Sequence, residues 1–144
     1  MDLGNISKKV ADAYTVRSSV VLTPTGSVVR TDHDKFLLVV DVSGGTVHTC
    51  VINTKPNRFA PKGSQVEIDG NDLPSVSSER DTLTHKSYVD CSKVVDVGED
   101  EFRLAVERGF FEPKGHLGDV AMMYVQNAGL KCDALRPFEK KYFE

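Results

Sequence analysis

Residues that could do chemistry fall in three short stretches of this chain. Asp32-His33-Asp34 sets an imidazole between two carboxylates, the composition of an acid–base pair. Lys55, Asn57, Arg58 and Lys62 share a loop-like run with Phe59, so cations for phosphate stand beside a ring that can stack on an unpaired base. That combination suits single-stranded RNA. Thr84-His85-Lys86-Ser87 adds a second imidazole, making His85 another candidate for proton transfer.

Composition narrows the remaining classes. The formal charge of −3 and pI near 5.8 argue against a broad basic surface for duplex DNA, so any nucleic-acid site must be a local groove. Cys50, Cys91 and Cys132 are odd in number and far apart, which points to buried free thiols rather than a disulfide framework or a metal site. No glycine-rich phosphate loop, defensible Ser-His-Asp order or glycosidase-like carboxylate pair is legible, so neither a nucleotide cofactor nor a metal is expected. Met1-Asp2-Leu3-Gly4-Asn5 lacks the basic-then-apolar order of a secretory signal, and no apolar run is long enough for a membrane span. A cytosolic protein with no membrane partner is the expectation.

The elements that must position these residues are read from periodicity. The 144 residues match one domain: an N-terminal helical extension over 1–17, an antiparallel barrel over 18–98, helices over 99–130 and a tail over 131–144. Ile6, Val10, Ala13 and Tyr14 recur at helical spacing behind Asn5. Ser19 to Thr23 and Ser27 to Thr31 read as a hairpin across Pro24-Thr25-Gly26. Lys35 to Val42 and Thr46 to Asn53 flank a Gly44-Gly45 turn, and Gln65 to Ile68 alternates as a half-buried strand. A long polar loop over 69–86 precedes a strand from Tyr88 to Val97. Glu99-Asp100-Glu101 opens a short helix stopped by Gly109, and Leu117 to Ala128 forms a clearer one ending at Gly129. The aromatic tail has two readings, docking on the fold or ordering at an interface.

Taken in order, Gly26-Ser27-Val28-Val29, the basic residue opening Lys35-Phe36-Leu37-Leu38-Val39-Val40, the strand ending at Thr54, and Ser87-Tyr88-Val89-Asp90-Cys91-Ser92 resemble the MazF/PemK group of small barrel toxins over roughly residues 26 to 130. The resemblance implies a mainly β fold with flanking helices: a small antiparallel SH3-like barrel, homodimeric, with a C-terminal helix. It also implies a metal-independent, sequence-preferring endoribonuclease restrained by an antitoxin protein. Such cleavage needs a base for the 2′-hydroxyl, an acid for the leaving 5′-oxygen and a cation for the phosphorane. The family's basic residue and hydroxyl fall here on Lys35 and Thr54, with His33 or His85 moving protons. Lys55, Asn57, Arg58, Phe59 and Lys62, with Lys86 and Ser87 bordering the groove, would hold RNA. Where the family carries Arg-Pro this chain has Lys35-Phe36, and lysine lacks the planar fork that grips phosphate twice. That departure carries the alternative, a non-catalytic barrel binding protein or RNA.

Overall fold

The structure, a computed structural model, describes residues 3–29, 33–73 and 86–144. Helix α1 spans Leu3–Ala13, and strands β1 Ser19–Thr23, β2 Lys35–Ser43, β3 Thr46–Asn53 and β4 Gln65–Ile68 follow. Then come β5 Ser87–Asp90, β6 Val95–Gly98, α2 Glu99–Glu107, β7 Glu112–His116, α3 Asp119–Leu130 and a last short helix, α4 Pro137–Lys140. Among the described residues no helix is long and apolar enough to cross a membrane.

All strand pairings in the sheet are antiparallel, in the order β4-β5-β3-β2-β1-β7, with β6 also pairing β3. The mainly β reading with flanking helices stands, but the closed barrel does not: among the described residues no ladder joins β4 to β7, and the sheet is open. The reason lies in the helices. Leu38, Val40, Cys50, Ile52 and Val89 face α3 and the C-terminal tail, while Leu37, Val39 and Val47 face α1 and α2. Both faces are covered without the sheet curling on itself, which is why β2 reads as an unbroken apolar run rather than an alternating one.

Two local expectations change. Residues 27–29 do not form a hairpin strand with β1. Instead β1 pairs directly with β2, Val20 opposite Leu38 and Leu22 opposite Phe36. β1 is buried along nearly its whole length, and the long apolar β2 pairs with it from Val20 to Thr23. The stretch from Tyr88 to Val97 is two strands, broken at 91–94 where Asp90 accepts hydrogen bonds from the Ser92 amide (3.0 Å) and hydroxyl (2.5 Å). An additional strand, β7, forms from Glu112-Pro113-Lys114-Gly115-His116 at the far edge, where proline is tolerated and β1 supplies the ladder.

The tail docks. Phe143 and Leu135 are buried with α3 against the sheet. Gly129 does not end α3; it lies within the helix, and a Cβ there would sit 2.2 Å from Cγ and Cδ1 of Phe143. The glycine is required by ring contact, not by backbone conformation. A second tie holds Tyr142, whose ring stacks on His48 at a centroid distance of 3.5 Å while Arg17 donates to the Tyr142 carbonyl at 3.3 Å. Burial raises the Tyr142 phenol above its ordinary value, with Asp96, Glu139 and Asp41 adding to the shift against Arg136. All three thiols are buried in the α3-side core. Cys50 is pushed well above the usual thiol range, first by its hydrogen bond with Cys91 and then by burial, so it stays protonated and unreactive.

Gly129→Ala separates the two roles of that glycine. Helix propensity alone predicts a gain of about 1 kcal/mol. Ring contact predicts a loss of about 1–3 kcal/mol in urea unfolding, which should vanish when Phe143→Ala is introduced alongside it. Cys50 should resist iodoacetamide in the folded chain and be alkylated once denaturant is added, as read by mass spectrometry.

Candidate functional site

The site begins with a change of partner. The first half of β3 pairs with β6, Thr46 opposite Gly98 through Thr49 opposite Val95, and its last residues pair with β5, Ile52 opposite Val89 and Asn53 opposite Tyr88. β5 and β6 therefore follow one another along the same edge of β3, and the turn over 91–94 bulges out between them. A groove of about 470 Å³ opens there, floored by Val51 and Val95 and walled by Lys35, Asn53, Thr54, Asp90 and Lys93. His33, Lys55 and Asn57 complete its rim.

Each wall residue has a local reason for its place. Lys35 opens β2 one position before the Phe36–Ile52 pair, which sets it across from Asn53, and its Nζ donates to Asn53 Oδ1 at 2.7 Å. The amide oxygen thereby fixes the direction of the ammonium. The Thr23 hydroxyl donates to the Lys35 carbonyl at 2.9 Å, tying the start of β2 to β1. Thr54 follows the last residue of β3 and is exposed. Asp34 accepts from the Thr25 amide (2.9 Å) and hydroxyl (2.8 Å), closing the connection before β2. His33 is exposed at the mouth. Asp32 lies outside the described residues, as does His85.

The basic loop is anchored rather than loose. Asn57 N–H donates to Gln65 Oε1 at 2.6 Å and Gln65 Nε2 donates back to the Asn57 carbonyl at 2.8 Å. Asn57 Oδ1 also accepts from the Phe59 amide. Asn57 thus stands where two grooves meet, because Arg58 and Lys62 line a neighbouring groove against Tyr88. Phe59 projects with 86% of its surface exposed and Arg58 over its ring at 5.5 Å, a solvent-facing stacking platform. Lys86 is exposed beside Glu67, 3.9 Å away, whereas Ser87 is fully buried and cannot meet a ligand in this conformation.

The fold thus gathers His33, Lys35, Thr54, Lys55 and Asn57 in one groove and leaves Arg58, Lys62, Phe59 and Lys86 on the adjoining surface. Asn53, Asp90 and Lys93 were not singled out from the sequence. The Asx-type turn signal in Asp90-Cys91-Ser92-Lys93 could have marked the last two. Among the described residues three lysines and one carboxylate line the groove, a local cationic balance in an acidic chain.

A Ser-His-Asp chain that the sequence order did not suggest also forms. His48 Nδ1 lies 2.7 Å from Asp96 Oδ1 and its Nε2 3.2 Å from the Ser43 hydroxyl. The Ser43 proton, however, is directed to Asp41 Oδ2 at 2.8 Å, and Tyr142 covers the ring, which is 5% exposed as a residue. The cluster latches the tail and does not present a nucleophile. No protein-family model and no curated protein matches the chain.

Gln65→Ala removes both loop-to-β4 bonds, each worth about 1 kcal/mol net. Amide exchange at Asn57 and Phe59 should accelerate while exchange in the β2–β3 core stays unchanged, as read by NMR.

Proposed function

We propose that this chain is a metal-independent endoribonuclease of the MazF/PemK type that cleaves single-stranded RNA in the groove between β5 and β6. The observation that carries the reading is the convergence of Lys35, Thr54 and His33 with Lys55 and Asn57 around one cationic groove. Lys35 neutralises the phosphorane and the Thr54 hydroxyl bonds a phosphate oxygen. His33 accepts the proton of the 2′-hydroxyl as that oxygen bonds to phosphorus, the bond from phosphorus to the 5′-oxygen breaks, and water returns a proton to the leaving oxygen. The products are a 2′,3′-cyclic phosphate and a 5′-hydroxyl. Phe59 and the Arg58–Lys62 surface hold the flanking nucleotides. The same resemblance extends the reading to a toxin that is homodimeric, acts in the cytosol and is neutralised by an antitoxin.

One observation favours a second reading, a non-catalytic RNA-binding module. The cation at the strand start is Lys35, a point charge already oriented on Asn53, where the family has a forked guanidinium.

Purified protein incubated with long mixed-sequence RNA in EDTA, with ends mapped by primer extension, tests the proposal. Discrete cuts are expected, falling about a hundredfold or more in Thr54→Ala and Lys35→Ala, with Lys35→Arg retaining cleavage. Intact RNA from the unsubstituted protein contradicts catalysis. In the module reading RNA stays intact but binds, and Lys93→Ala lowers the slope of log affinity against log salt by about 0.7, the value of one phosphate contact on a single strand.

A further inference from the structure

The outer edge of β4 belongs to neither the groove nor the core. β4 pairs with β5 on one side, and no described residue pairs with it on the other. Its register shows which backbone groups are turned outward. The Cys91 amide donates to the Ser64 carbonyl at 2.8 Å. Bonded and non-bonded positions alternate along an antiparallel ladder, so Val66 opposite Val89 and Ile68 opposite Ser87 are the bonded pairs. The N–H and C=O groups of Gln65 and Glu67 then point out of the sheet.

A groove lies on each face beside those groups. One, of about 560 Å³, runs between β4 and α3 past Val66, Tyr124 and Lys131. The other, of about 480 Å³, holds Arg58, Lys62 and Tyr88. Gln65 and Glu67 line both.

We propose that this edge accepts an extended acidic peptide as an added strand. Successive side chains of a strand point to opposite faces, so alternate residues of the peptide enter the two grooves while its backbone bonds Gln65 and Glu67. Val66 and Tyr124 receive apolar side chains on the α3 face. Arg58 and Lys62 receive carboxylates on the other, with Lys86 and Lys131 at the flanks and Glu67 the one acidic side chain among the described residues there. Charge decides against a second copy of this chain, because β4 against β4 would set these cations against each other. The backbone edge decides against RNA, which has no alternating amide and carbonyl groups to match it. The inference shares Arg58 and Lys62 with the surface assigned above to flanking nucleotides but uses neither Lys35 nor Thr54, and the β4 backbone edge on which it rests has no part in the ribonuclease reading.

The test is fluorescence anisotropy of the full chain with a fluorescein-labelled short peptide alternating Val with Glu, against one alternating Val with Lys. Saturable binding of the Val/Glu peptide is expected, about tenfold or more tighter than the Val/Lys peptide. Glu67→Pro removes one outward N–H while leaving the bonded pairs with β5, and it should abolish binding with an unchanged near-ultraviolet circular dichroism spectrum. The doubly reversed surface variant Arg58→Glu, Lys62→Glu should exchange the peptide preference, a result that does not depend on how well the proline variant folds. No binding, equal binding of both peptides, or binding indifferent to both variants would overturn the proposal. So would sedimentation showing a dimer that Glu67→Pro dissociates, which would assign the edge to a second copy. Displacement by oligouridylate with no effect of Glu67→Pro would place the peptide in the nucleic-acid groove and overturn it as well.

Discussion

β3 is hydrogen-bonded along one edge to a single strand and along the other to two in succession, and the rest of the structure depends on that exchange. β2 accompanies it from Phe36 opposite Ile52 to Ser43 opposite Thr46. On the far side β6 must leave and β5 must enter within a few residues, and two strands cannot occupy one ladder position. The interruption between them is floored by the apolar side chains of Val51 and Val95 and rimmed by the end of β3, Asn53 and Thr54, and by the bulging turn with Asp90 and Lys93. The groove is a consequence of sheet topology, and its cationic character comes from Lys35, Lys55 and Lys93 being placed on it.

Helices on both faces keep the sheet open and its strands rigid. The α1/α2 layer covers Leu37 and Val39, and the α3/tail layer covers Leu38 and Val40. The tail is held at two points of different chemistry. Phe143 fills the notch that Gly129 leaves in α3, and Tyr142 stacks on a histidine held between Asp96 and Ser43. The first tie is apolar and insensitive to salt; the second is polar and partly solvent-facing. Together they close the end of the sheet remote from the groove rim, where Ser43-Gly44-Gly45-Thr46 makes a tight turn with both glycines at positive φ.

Much of this architecture was legible in the sequence, for physical reasons that also mark where it ceased to be. β2, β3 and β4, with the helices α1, α2 and α3, announce themselves through apolar period and turn chemistry, since their own side chains decide their burial. β7 does not, because Glu112-Pro113-Lys114-Gly115-His116 has no strand propensity and exists only as the partner of β1. The turn expected after β1 does form, the Ser27 amide donating to the Pro24 carbonyl at 3.1 Å, but residues 27–29 do not return along β1, which pairs with β2, and 30–31 lie outside the described residues. At the groove, the loop from Lys55 is legible as a local basic run, whereas Lys35 and Thr54 are picked out only by the resemblance to the MazF/PemK group. The turn that carries Asp90 and Lys93 has a local Asx-type signal, but its position on the groove follows from the partner exchange on β3, which no local pattern encodes.

The proposed RNA site depends on this partner exchange. Its most direct test is an amide NMR titration of the labelled chain with a single-stranded oligouridylate whose 2′-hydroxyls are replaced by hydrogen, so that binding proceeds without cleavage. The account predicts saturable shifts at His33, Lys35, Asn53 to Asn57 and Asp90 to Lys93, with Phe59 perturbed by stacking. Shifts confined to α3 or the tail, or none at all, would contradict it.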